Sequence, residues 1–206
     1  MRTKHWKIGL LGLALIPLLG TTCVKEKTIE FLINEESEAQ FHAIGSQNVD
    51  LGSDDVDLKA DIDLQQIAAD NGVNPADIRG ATFRGLSYRI DVPDAVAGRT
   101  ITGALKVKFG ARGEVTLGSI SAVPADAMTG WIDITANVTT AGVAEINRFL
   151  ADCLAEAQGL GTASDTVVHY EWDGQSDPTS EPTDFFWSVK ITINIIPTTT
   201  GDFPDF

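Results

Sequence analysis

The stretch from Phe185 to Ile195 constrains the fold of this chain more than any other. Phe185, Trp187, Val189, Ile191, Ile193 and Ile195 fall on one side of an extended backbone, and Ser188, Lys190, Thr192 and Asn194 on the other. Successive side chains of a strand point to opposite faces, so this run reads as a strand with one face in a core and one in water. Pro197 has no N–H to give a ladder and is expected to end it. The same period recurs along the chain. Ile29, Phe31 and Ile33 alternate near the start, and Val56, Leu58, Ala60, Ile62 and Leu64 alternate with an acidic outer row that includes Asp57, Asp61 and Asp63. Ile101, Gly103, Leu105, Val107 and Phe109 form another such run, which Gly110-Ala111-Arg112-Gly113 should turn back into residues 115–123. Residues 131–138 and 166–172 are the remaining strand expectations.

Helical signals are few. Asp63 can cap a short helix over residues 64–70 that stops at Asn71-Gly72, and Asn74-Pro75 reads as cap and first position of a turn reaching Ile78. The one substantial helix is expected over residues 142–158. There Val143, Ile146, Leu150, Leu154 and Ala157 recur by threes and fours, with Gly159 available as a left-handed terminator. Many short strands with one amphipathic helix imply an all-β, antiparallel β-sandwich, jelly-roll or immunoglobulin-like. The helix would lie across an open end or edge of the sheets. The loop 173–184 and the tail 198–206 are expected to be irregular.

The chain opens on a different pattern. Arg2, Lys4 and Lys7 precede an apolar run over residues 8–19, which is followed by Gly20, Thr21, Thr22 and Cys23. A basic stub, a short apolar core and a small-residue exit make a secretory signal. About 12 apolar residues span roughly 18 Å as a helix, short of the ~30 Å of hydrocarbon a spanning helix crosses. With Cys23 at its end, the segment resembles a bacterial lipoprotein signal. The resemblance implies that Cys23 is acylated, becomes the first mature residue, and ties the protein to a bilayer. Residues 1–22 are then signal peptide, 23–27 a tether and 28–206 a single β-sandwich domain. Each buried methylene of an acyl chain contributes about 0.8 kcal/mol, so several chains anchor stably. The second cysteine, Cys153, falls on the apolar side of the 142–158 helix, as a buried structural thiol would. If Cys23 is not acylated, a Cys23–Cys153 disulfide is open to it in an oxidising compartment.

Composition narrows the partners. Removing residues 1–22 leaves 12 basic against 29 acidic residues, a net charge of −17. Nucleic acid and anionic membrane surfaces are repelled by such a field. No nucleophile elbow, phosphate-cradling loop, paired-histidine metal signature or cysteine pair at ligand spacing occurs in the chain. His42 and His169 are the only histidines after the signal. A non-catalytic role is therefore expected. The sequence offers one cofactor, calcium, through the oxygen-rich loop that holds Asp173, Asp177, Glu181 and Asp184. It offers one aromatic set, Trp131, Trp172 and Trp187, which would stack on sugar rings if exposed and fill the core if not. The leading expectation is an exported, lipid-anchored cell-envelope protein with an interaction or structural role, its partners the bilayer and envelope proteins or glycans. The second is a secreted or surface carbohydrate-binding module assisted by calcium at the 173–184 loop.

Overall fold

A computed structural model describes residues 25–30, 32–45, 50–126 and 130–203; the signal and Cys23 lie outside the described residues. Among the described residues there are nine strands: β1 (Lys25–Glu30), β2 (Ile33–Gly45), β3 (Asp50–Asp57), β4 (Ile78–Val92), β5 (Thr100–Phe109), β6 (Val115–Pro124), β7 (Ile132–Asp133), β8 (Val167–Asp177) and β9 (Thr183–Phe203). They form two antiparallel sheets, one ordered β1-β9-β4-β7 with β2 also paired to β9, the other ordered β3-β8-β5-β6. The pairs β2:β9, β3:β8, β4:β7 and β5:β6 nest, outermost with outermost and innermost with innermost. A long antiparallel ribbon rolled over on itself gives that nesting, which makes the sandwich a jelly roll rather than an immunoglobulin-like arrangement. Thr28–Thr199 form one compact unit, and the described backbone at residues 25–27 and 200–203 belongs to a separate one.

The core lies between the inner faces. Phe41, Leu86, Tyr88, Ile90, Trp187, Val189, Ile191 and Ile193 of the larger sheet meet Leu105, Val107, Phe109, Leu117, Ile120, Val168, Tyr170 and Trp172 of the smaller, all buried. The helix α3 (Thr140–Ala157) packs against β4 and β6, one strand from each sheet, and so spans the gap between them. Its Ile146, Phe149, Leu150 and Cys153 are buried, with Phe149 5.0 Å from Phe109 between ring centroids. Close approach at the first turn requires Gly142, where a Cβ would lie 2.7 Å from Leu117 Cα. Thr139 caps α3 by accepting from Gly142 N–H, and Gly159 (φ 73°) follows its last turn in the left-handed region.

The short helices follow the caps. Asp63 accepts from the N–H groups of Gln65 and Gln66 to start α2 (Leu64–Asp70), and Asn74 accepts from Ala76 N–H to start a 3-10 turn at Pro75–Asp77. The expected strand from 56 to 64 stops at Asp57. That carboxylate caps α1 (Leu58–Asp61) instead, and Leu58 and Ile62 turn inward at helical spacing. The expected strand over 131–138 shrinks to β7, because Asp133 Oδ1 accepts from Thr135 N–H at 2.8 Å and winds the chain into a 3-10 turn over Thr135–Asn137. Pro197 does not end β9. It sits opposite Ile78 beside a register shift between Ile78 and Gly80, a bulge being where a ladder tolerates a missing N–H, and β9 runs on to Phe203. The irregular loop between β8 and β9 is confined to residues 178–182.

Candidate functional site

The three tryptophans separate. Trp172 and Trp187 are fully buried with ring centroids 4.3 Å apart, joining the two sheets. They belong to the core and offer no face to a sugar, which corrects two of the three members of the expected aromatic platform. Trp131 is half-buried on the outer face of the larger sheet. Arg89 and Lys190 each lie 4.7 Å from its ring centroid. Those cations are paired in turn, Arg89 with Asp91 at 2.5 Å and Glu38 at 3.7 Å, and Lys190 with Glu36 at 3.0 Å. Arg89, Lys190 and Trp131 are thus each occupied by neighbours on the same face. Further along it, His42 stacks on Phe186 with centroids 4.0 Å apart and meets Asp184 at 2.8 Å.

The four acids of the expected calcium loop also part company. Asp173 lies within β8 and pairs with Lys106 at 3.0 Å, Asp177 ends that strand, Glu181 is in the short loop, and Asp184 in β9 faces His42. Among the described residues, no group of three or more His, Cys, Asp or Glu is placed to hold a metal ion. The cause is register. Extending β8 to Asp177 and starting β9 at Thr183 spreads across two strands the carboxylates that a compact loop would have gathered.

What organises this end of the sandwich is a residue the sequence did not single out. Arg99 is buried, with Nε 2.9 Å from Asp94 Oδ1. It donates to Ser176 Oγ at 2.9 Å and to the carbonyls of Pro178 and Pro182 at 3.2 and 2.8 Å. Asp94 completes the knot by accepting from Val96 N–H and Asp184 N–H. Burial pushes the Asp94 carboxyl upward, but those two N–H groups and Arg99 outweigh it and hold the carboxyl below its ordinary value. The only hint in the sequence is an aspartate and an arginine closing the short turn Asp94-Ala95-Val96-Ala97-Gly98-Arg99. Cys153 is buried, and that burial pushes its thiol up to about 11, far from a reactive thiolate.

Two hollows lie on the outer face of the smaller sheet. In one, of about 390 Å³, His169 Nδ1 meets Asp55 Oδ1 at 2.7 Å beside Lys108, all three solvent-facing. The larger is a shallow groove of about 620 Å³. Thr102 and Ala104 of β5, Ser119 and Ser121 of β6, and Asp173 and Gln175 of β8 stand around it. Cross-strand register sets this: Ala104 lies opposite both Ser119 and Asp173, and Thr102 opposite Gln175. The paired Gly103 and Gly174 line it as well, so part of its floor is bare backbone. β6 carries an extra residue here, since Ile101 and Gly103 of β5 pair with Val123 and Ile120. Ala122 in that bulge adopts φ 51°, and its N–H donates to Thr102 Oγ1 at 2.9 Å. A left-handed non-glycine residue costs about 1–2 kcal/mol, and bulges of this kind re-aim the side chains beside them.

No family model matches the chain, and no curated protein matches it. A solved structure bearing the name Desmodium yellow mottle tymovirus aligns over 97% of this chain and 97% of that one at 14% identity, with a TM-score of 0.29. A likeness that slight carries no argument, and the jelly-roll assignment stands on the strand pairing alone.

Proposed function

We propose that this protein is exported, held at the cell envelope by lipid on Cys23, and acts there as a non-catalytic binding domain. The observation that carries the reading is the sequence of a basic stub, an apolar core and a small-residue exit ending at Cys23. Its support from the structure is positional: the main compact unit starts at Thr28, a few residues beyond that cysteine. An acyl anchor at Cys23 would hold the domain at the membrane, where it could meet envelope proteins or glycans; residues 25–27 of the expected tether belong to strand β1. Among the described residues no helix is long and apolar enough to cross a membrane. A net charge of −17 on residues 23–206 disfavours direct adhesion of the domain to anionic headgroups and favours an anchor that is covalent.

The test is the intact mass of the chain recovered from a bacterial host. A mature species beginning at Cys23 and carrying acyl chains is the expected result. An unmodified chain two hydrogens lighter than its reduced mass would mean a Cys23–Cys153 disulfide and a freely secreted protein.

A further inference from the structure

We propose that the groove between Thr102, Ser119, Ser121, Asp173 and Gln175 on the smaller sheet binds a neutral polyhydroxyl chain, a segment of uncharged glycan. This rests on the binding-domain reading but not on the lipid anchor. Three independent features converge on the groove.

The first is unspent polar capacity. Thr102 Oγ1 already accepts from Ala122 N–H, which leaves its own proton to donate. Lys106 Nζ takes Asp173 Oδ2, which leaves Oδ1 as an acceptor. The exposed Gln175 carboxamide can donate and accept at once, and the exposed hydroxyls of Ser119 and Ser121 can do either. A mixed set of donors and acceptors facing one hollow suits a ligand whose groups are themselves both, and vicinal hydroxyls are such groups.

The second is shape. A floor of glycine backbone and Ala104 lets a chain lie across the strands instead of standing off on side chains, and the Ala104 methyl gives the C–H face of a ring an apolar neighbour. The groove is shallow and open, so a chain of sugar units would lie across it instead of entering a closed pocket. The strained Ala122 bulge directs Ser121 at its rim and pins Thr102 beside it.

The third is charge. An anionic chain would meet Asp173 and the field of an exported protein carrying a net charge of −17, and a hydrophobic ligand would leave the hydroxyls and carboxamide unpaired. Lys106 is shared between Asp173 and Glu114 and offsets their charge only in part, so an uncharged polyol is the class this face does not repel.

The experiment uses the full chain exported from a bacterial host, labelled for amide NMR and titrated with a panel of neutral hexasaccharides (gluco-, manno- and xylo-configured) and one uronate hexasaccharide. The expected result is saturable binding of at least one neutral member, with shifts confined to residues 102–104, 119–122 and 173–175. Ala104→Phe, an outward position on β5, should fill the groove and abolish binding. Gln175→Ala should weaken it about five-fold, the usual consequence of losing one hydrogen bond. The amide spectrum of each variant shows directly whether it is folded, and Gln175→Ala, at an exposed position, keeps the test open if Ala104→Phe does not fold. Binding by the uronate alone, shifts centred on Trp131 instead, or no response from the neutral panel at ten-millimolar sugar would each overturn the proposal. None of these outcomes depends on acylation of Cys23, so loss of the anchor and loss of the groove are read separately.

Discussion

The two sheets share a core, yet their outer faces are built from different chemistry. On the larger sheet, long charged side chains reach one another: Arg89 is flanked by Glu38 and Asp91, Lys190 by Glu36, and Trp131 rests beside both cations. On the smaller sheet around the groove, the side chains are short and their hydrogen-bonding groups are partly unspent. The difference shows which outer face has hydrogen-bonding groups left over. A face whose charges are mutually satisfied gives rigidity and solubility, and a ligand there must first break those pairs. A face of glycine, alanine, serine and threonine gives little rigidity of its own but can accept a guest without losing an internal contact.

The comparison can be broken most severely at the end where the sheets are tied together, since both faces depend on it. Arg99 joins Asp94, which follows β4 of the larger sheet, to Ser176 in β8 of the smaller. Arg99→Met should destabilise the fold by about 3–5 kcal/mol in urea unfolding, because it leaves the Asp94 carboxylate buried without its cation. A loss below about 1 kcal/mol would show that the knot contributes little. The pH dependence follows from the lowered Asp94 pKa. A carboxyl held below its ordinary value of about 3.9 stabilises fully above that value, and the contribution disappears as pH falls through the lower folded value. The gap between wild type and Arg99→Met should therefore be widest near neutral pH and narrow as the pH falls below about 4. A gap that widens on acidification would contradict the assignment.

A smaller effect is expected at Trp131. Trp131→Ala removes two cation–ring contacts on a half-exposed face and should cost about 1–2 kcal/mol. A value near that of a core tryptophan, about 3–5 kcal/mol, would mean the outer face of the larger sheet is itself a packed interior. The smallest effect belongs to the groove. Gln175→Ala should leave stability within about 0.5 kcal/mol of wild type, since the side chain is exposed. A larger loss would show that the groove side chains hold the sheet together and would weaken the contrast between the faces.

Much of this fold was legible in the sequence for physical reasons. β9, the β5–β6 hairpin, the Asp63 and Asn74 caps and α3 all rest on short-range signals, either strict periodicity or a capping side chain next to its target. β4 and β2 were not legible. β4 carries register shifts at Ile78/Gly80, Phe83/Gly85 and Ile90/Val92, and each one flips the alternation that marks a strand. β2 reads Ile33-Asn34-Glu35-Glu36-Ser37-Glu38, with too few apolar residues to announce itself, and is held by pairing with β9. The fate of Pro197 turned on a bulge set by tertiary pairing, and the early end of β3 on Asp57, a local cap to Ala60 N–H that competed with the strand alternation running through it.

The sites divide in the same way. Burial of Trp187 was readable from its apolar neighbours Val189 and Ile191 on one strand face. The separation of Asp173, Asp177, Glu181 and Asp184 was not, because it depends on how far β8 and β9 extend. Arg99 and the groove were invisible for a common reason. One gathers groups from three places in the chain, Asp94, Ser176 and the carbonyls of Pro178 and Pro182, and the other gathers small residues from three strands. The groove leaves no local pattern, and the knot leaves only the short Asp94–Arg99 turn.

The most direct test of an anchored, exported binding domain is fractionation of bacterial cells producing the wild-type chain beside Cys23→Ser. The wild type should sediment with membranes and be released by detergent, while the variant, its acyl site gone, should leave the membrane fraction. The same distribution for both proteins, or a wild type that stays in the cytoplasm with its signal uncut, would contradict it.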